Sequence, residues 1–389
     1  MQPRLFASGF RATFLAAALS ATILVPLWVL IWGFGWSLAT DWPPTMWHAH
    51  EMLFGFIAAA IAGFLLTAVP SWTGSRGFGG PPVMIVSTIW LAARVLIATS
   101  AHWPALLVAI VDVGFLVAVG VLVAPPLLRA KNRNTPLLIV LTLLATCNGV
   151  THWAIAHYDS GLARHAILAG IDISLLLVTV IGGRIIPAFT ANALRSGAAP
   201  AGLLTLPFMT PAAILSVLAV VITDLLWPDS RTAGIAAGVA GVINAVRMLQ
   251  WRSLATWRQP IVWILHLAYL WLPVGLALKC LAAFSGAAIS AFWLHSLTVG
   301  VLATMIMAVM TRASLGHTGR ALVVDPAIAL GYGFLLMAAL VRVFGLGVLG
   351  LPYPFVIVIS ACCWTAAFAL FLAIYTPILW SPRVDGKPG

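Results

Sequence analysis

Twelve apolar runs follow one another along the chain, at 13–35, 47–70, 82–99, 104–124, 136–157, 163–187, 203–226, 232–250, 260–282, 290–311, 325–348 and 354–380. A helix of about 20 residues, rising 1.5 Å per residue, crosses the roughly 30 Å hydrocarbon layer of a bilayer. The connectors between the runs are short and carry turn residues, as in "DWPP", "GFGG", "WPDS" and "GHTGR". With 62% hydrophobic and 7% charged residues and a mean hydropathy of +1.08, the chain lacks the charge that a soluble surface needs. The expectation is an all-α fold: a polytopic transmembrane bundle of about 12 helices, forming a single integral membrane domain over 1–389. The opening "MQPRLFASGFRATFLAAALS" has some character of a signal peptide. Its apolar run continues past Trp32, so it reads as a retained first span.

The 20 Lys and Arg outnumber the nine Asp and Glu, for a net charge of +11. The basic residues stand singly between apolar runs, which excludes a nucleic-acid-binding face. Their placement sets orientation instead. If the N-terminus is cytoplasmic, that side receives Arg4, Arg11, Arg76, Arg129, Lys131, Arg133, Arg195, Arg252, Arg258, Arg312, Arg320, Arg383 and Lys387. The opposite side receives Arg164 and Arg231. The positive-inside rule then places both termini in the cytoplasm, in agreement with an even number of spans. Cys147, Cys280, Cys362 and Cys363 lie in apolar runs as small buried hydrophobes. No C-x-x-C or C-x-x-C-H occurs, which argues against a zinc knuckle or covalently attached haem.

Ionisable groups at membrane depth are costly, and each is a candidate functional residue. "TMWHAHEMLFGF" opens the second run with His48, His50 and Glu51, the only glutamate of the chain. In the assumed topology these lie towards the periplasmic face, together with His152 of the fifth run and His295 of the tenth. Imidazole is the usual nitrogen ligand for copper, iron and zinc. His48, His50, His152 and His295 are therefore the candidate metal ligands, set against the alternative of histidines hydrogen-bonded in helix packing. Residues two apart on a helix diverge, so His48 and His50 share one metal only on extended chain. Glu51 is a candidate proton donor. Asn148, four residues before His152, shares its face and could orient it. Asp112 and Asp172 are carboxylates either of a proton path or of a structural pair. His102, His157 and His165 fall at connectors, as solvated interface residues.

A second polar set belongs to the cytoplasmic side. His266 lies about 10 Å inside that face at helical rise. Arg184 and Arg247 end the sixth and eighth runs, and "MTRASLGHTGR" groups Arg312, His317 and Arg320 in what reads as a loop. Arginines there could hold anionic groups such as haem propionates.

"WHAHEMLFGF" leading into "AGFLLTAVPSWTG", then "GGRIIPAFT" and "LHSLTVGVLATMIMAVMTRASLGHTGR", resembles the NnrS family over most of the chain. The resemblance implies a multi-pass protein of the bacterial inner membrane in the nitric oxide response, containing haem, non-covalent and b-type, and copper. Its motif positions here are His48, His50, Glu51, Arg184, Pro187, His295, Arg312 and His317. Three functions are compatible with these features. One is a metal-dependent protein that binds nitric oxide and reduces or detoxifies it, supplied by an unidentified electron donor. The second is a non-catalytic haem protein that protects against, or relays, nitric oxide stress. The third is a twelve-helix secondary transporter, against which the lack of internal repeats counts. Reporter fusions in the 126–135 connector are expected to report the cytoplasm. A periplasmic signal there would reverse the orientation and the depth assignments built on it.

Overall fold

A computed structural model describes residues 4–195, the side chain of Arg195 excepted, and residues 206–386. Lys387 and the first residues of the expected 203–226 run lie outside the described residues. Twelve helices are long and apolar enough to cross a membrane. They are α1 (Gly9–Phe34), α2 (Pro44–Thr73), α3 (Pro81–Ala98), α4 (Ala105–Arg129), α5 (Leu137–Ala156), α6 (Ser160–Leu194), α7 (Met209–Leu226), α8 (Arg231–Leu249), α9 (Pro260–Ser285), α10 (Ala288–His317), α11 (Pro326–Phe344) and α12 (Tyr353–Trp380). No strand occurs among the described residues.

Several helices run further than the apolar pattern indicates, three of them past residues that look like boundaries. The α4 helix continues through Pro125 and Pro126 to Arg129, and α6 continues through Pro187. Proline removes one backbone donor but does not force a helix to end, and membrane helices tolerate it. The α10 helix carries Arg312 and His317 on helical backbone, so the loop expected at 310–320 begins only after His317. Thr, Arg and Ser are polar without being helix breakers, and Gly316 alone does not stop the helix. Gly319 then turns the chain at φ +76°.

The chain groups into two compact units. The first comprises Met1–Gly170, Ala313–Ala321 and Phe368–Gly389; the second comprises Ile171–Arg312 and Leu322–Ala367. In the first unit α1 packs on α2, α2 on α4, and α3 and α5 on α4. Small residues allow the closest approach, as membrane helix pairs require. A Cβ at Gly63 of α2 would collide with Thr13 and Phe14 of α1. Arg11 is fully buried, although its position suggested a surface topology charge. Its Nη1 donates to the carbonyl oxygens of Leu379 at 2.6 Å and Ser381 at 2.8 Å. It thereby satisfies acceptors at the end of α12 that the helix leaves open. In the second unit α8 packs on α7 and α9, and α10 on α9 and α11.

His102, His157 and His165 are exposed, as their connector positions imply. All four cysteines are free; Cys362 is exposed on α12 and Cys147, Cys280 and Cys363 are half-buried, so none is the fully buried hydrophobe expected.

Candidate metal centre

Both α2 and α10 contain a π-helical stretch, Glu51–Ile57 and Ser296–Ala303, each directly after a histidine. The wider turn is uncommon and concentrates at functional sites. In α2 it turns Glu51 towards α3, where Oε1 accepts from Arg94 Nη1 at 2.6 Å. Gly55 leaves the room for this pair, since a Cβ there would stand 3.0 Å from Arg94 Nη1 and 3.1 Å from Glu51 Oε2. Trp90, one turn before Arg94, donates its indole N–H to the Gly55 carbonyl at 2.9 Å.

Neighbouring helices of alternating direction bring the start of α2, the end of α3, the start of α4 and the end of α5 to one level. Asp112 of α4 is the residue on which they converge. Its Oδ1 is ion-paired with Arg94. Its Oδ2 accepts from Asn148 Nδ2 at 2.8 Å and lies 3.0 Å from Nε2 of both His50 and His152. Asn148 Oδ1 stands 2.9 Å from the same His50 nitrogen. His50 is 0% exposed, Glu51 1%, Asp112 2%, Asn148 1% and His152 6%. Trp42, from the α1–α2 connector, sets its ring edge-on to His50 at 4.6 Å and to His152 at 5.1 Å. It belongs to an apolar cluster with Trp47, Ile97 and Val108 that closes the group off.

Charge counting shows what this arrangement lacks. Glu51 and Asp112 carry two negative charges and Arg94 one positive charge, so neutral imidazoles leave one negative charge uncompensated. An unpaired charge in a low-dielectric interior is strongly disfavoured. A proton on an imidazole removes it, and so does a metal cation. The donor set suits a metal: one atom each from His50, Asp112 and His152 can be chosen so that all lie within 4.8 Å of one another. Bonds of about 2.0–2.2 Å around a tetrahedral ion set neighbouring ligands roughly 3.3–3.6 Å apart. The 3.0 Å separations would open by only a few tenths of an ångström. Buried His50 Nδ1 and Glu51 Oε2 make no hydrogen bond, so the group holds unused hydrogen-bonding capacity.

Of the residues singled out from sequence, His50, His152, Glu51 and Asn148 come together here. The backbone at His48 and His50 is helical, so the two diverge, and His48 stacks on Trp28 at 4.7 Å. His295 lies in the second unit. Asp112 takes the paired role considered for it, but Arg94 was missed. A lone arginine within an apolar run is the same signal that marked the histidines, and it was there to be read.

The second polar set divides between the units. Arg184, Arg247, His266 and Arg312 belong to the second, His317 and Arg320 to the first. His266 is held at both nitrogens, Nε2 by Thr190 Oγ1 at 2.8 Å and Nδ1 by Ser253 Oγ at 2.9 Å. Arg247 donates to the Thr179 carbonyl at 2.9 Å and to the Tyr269 hydroxyl at 3.0 Å, lying beside Gly183 of α6. Trp251 touches both His266 and Tyr269. Arg312 lies over the Phe189 ring at 3.8 Å. His317 lies against Phe10 at 5.6 Å, and its carbonyl accepts from Arg383.

Arg94→Met should destabilise the protein by about 3–5 kcal/mol, the usual cost of removing one partner of a buried pair. Adding Glu51→Gln restores the parent charge count and should recover much of that loss. Thermal unfolding in detergent reads both. A double variant no more stable than Arg94→Met would show that charge balance does not hold this group.

No curated protein matches the chain. The family model described as NnrS protein matches residues 4–383, nearly its whole length. The chain therefore belongs to the NnrS family, which ties this twelve-helix protein to metal binding and to the nitric oxide response.

Proposed function

We propose that the protein binds nitric oxide at a copper centre held by His50, His152 and Asp112, and turns it over with protons delivered through Glu51. The observation carrying this reading is the convergence of two imidazoles and a carboxylate, all buried. Neutral imidazole suits copper, and the absence of a thiolate from this donor group argues against a structural zinc site. When bound, copper supplies a redox-active position for a diatomic ligand. The chain's own residues do the rest. Asn148 and Arg94 hold Asp112 in one orientation, as partners of a ligating carboxylate do. Trp42 and its apolar cluster keep bulk water away from the imidazoles. Nitric oxide is small and apolar, so it reaches this depth through lipid. Glu51 stands beside His50, with its Oε1 3.7 Å from Nδ1 and its Oε2 without a hydrogen bond, where it can pass a proton inward.

Haem is the second group of this reading. In the second unit His266 would hold it, with Arg184, Arg247 or Arg312 to meet its anionic groups; in the first, His317 would, with Arg320. His266 has the orienting partner that a ligating histidine needs at its second nitrogen, in Ser253.

Metal analysis and nitric oxide consumption on purified variants test the proposal. His50→Ala, His152→Ala and Asp112→Asn should each lose most of the copper. Asn148→Ala should weaken its binding about 10–100-fold, as loss of an outer partner does. Glu51→Gln should keep the metal and slow consumption. Metal loss in His48→Ala or His295→Ala would add those residues to the ligand set. Undiminished copper in all three ligand variants would reject the centre.

A further inference from the structure

The second unit contains a buried charge group that the metal reading does not use. Asp224 of α7 is ion-paired with Lys279 of α9. The Lys279 ammonium also lies 4.7 Å from the centroid of the Trp293 ring. Asp172 of α6 is level with Lys279, since Gly182, ten residues on, stands against Tyr269, ten residues before Lys279 on α9; Asp224 and Lys279 are the charged groups that act on it. Asp172 is 4% exposed. It lies twelve residues beyond Ser160, about 18 Å along α6. The side chains of Asp224 and Lys279 are 12% and 11% exposed, and Asp224 is two residues from the end of α7 at Leu226.

Two separate requirements lead to the same missing particle. Two carboxylates and one ammonium leave one negative charge in an apolar interior, where it is strongly disfavoured. Two ionised carboxylates acting on one another also repel, and neither has a donor to offer the other. One proton satisfies both requirements. Lys279 cannot serve in its place, since it is already held by Asp224 and Trp293. Exposure falls from Asp224 to Asp172, which gives the proton an entrance at the helix end and a store further in.

We propose that Asp172 and Asp224, flanked by Lys279, form a proton-binding site that takes up and releases one proton at membrane depth. Uptake forms one O–H bond on a carboxylate with a proton from water at the end of α7, and release returns it there. No electron moves, and the site stands whether or not copper binds in the first unit.

Infrared spectroscopy of the purified full-length protein tests this. The parent should show the C=O stretch of a protonated carboxyl, sensitive to deuterium exchange and titrating with pH. Asp172→Asn or Asp224→Asn should abolish that band. Lys279→Gln should keep it and move its midpoint up by about 1–3 pH units, because an opposite charge has been removed. Three results would overturn the proposal. The band could survive in both asparagine variants. It could fail to titrate over the range in which the parent stays folded, which would make the proton a fixed structural one. It could vanish on adding sodium chloride at constant pH, which would assign the site to a metal cation. The titration of the parent needs no variant, so a variant that fails to fold leaves the test intact.

Discussion

A carboxylate enclosed by membrane helices must be matched by donors from those helices, and Asp112 is matched by three of them. Arg94 comes from α3, His50 from α2, and Asn148 and His152 from α5. Each contact fixes a helical register, because a residue displaced by one position points about 100° away. The remaining features follow from holding this group dry. Trp42 folds back from a connector to cover both imidazoles, and Gly55 yields the space in which Arg94 reaches Glu51. The π-helical turn after His50 lets consecutive residues serve Asp112 and Arg94.

The same electrostatic rule explains why the group suits a cation. One arginine between two carboxylates is one positive charge short, and the interior gives little solvation to make up the difference. A protein that needed only stability could replace such a group by apolar residues, often without loss. Its place at the junction of four helices is in keeping with the proposed ligand that supplies the missing charge. The Asp172–Asp224–Lys279 group obeys the same arithmetic with a different donor set. At Asp172 and Asp224 the proposed counterion is a proton on a carboxyl; at Asp112 it is a metal on two imidazoles, with which a proton on either imidazole competes.

The spans were legible because a membrane helix must be apolar along its whole length, so each run declares itself without tertiary information. The ends were less so. Proline at 125, 126 and 187, and polar residues from Thr311 to His317, looked like boundaries, yet the helix continues through them. Depth was legible for His50 and His152, since alternating helix direction fixes level. Azimuth was not: His48 shares that level but stacks on Trp28. Arg94 is the residue that sequence reasoning should have caught. Its pairing with Asp112 joins residues 18 apart across the α3–α4 turn, and treating arginines mainly as topology markers hid it. Arg11 was hidden in the same way, as a buried cap on α12 rather than a surface charge.

The central claim is that Asp112 and two imidazoles hold one metal. X-ray absorption at the copper edge of the purified, copper-loaded protein measures this directly. The account requires scattering from two imidazoles and an oxygen ligand, with the imidazole contribution lost from the His50→Ala, His152→Ala double variant. A spectrum without imidazole scattering, or one unchanged in that variant, would place the metal elsewhere and contradict the account.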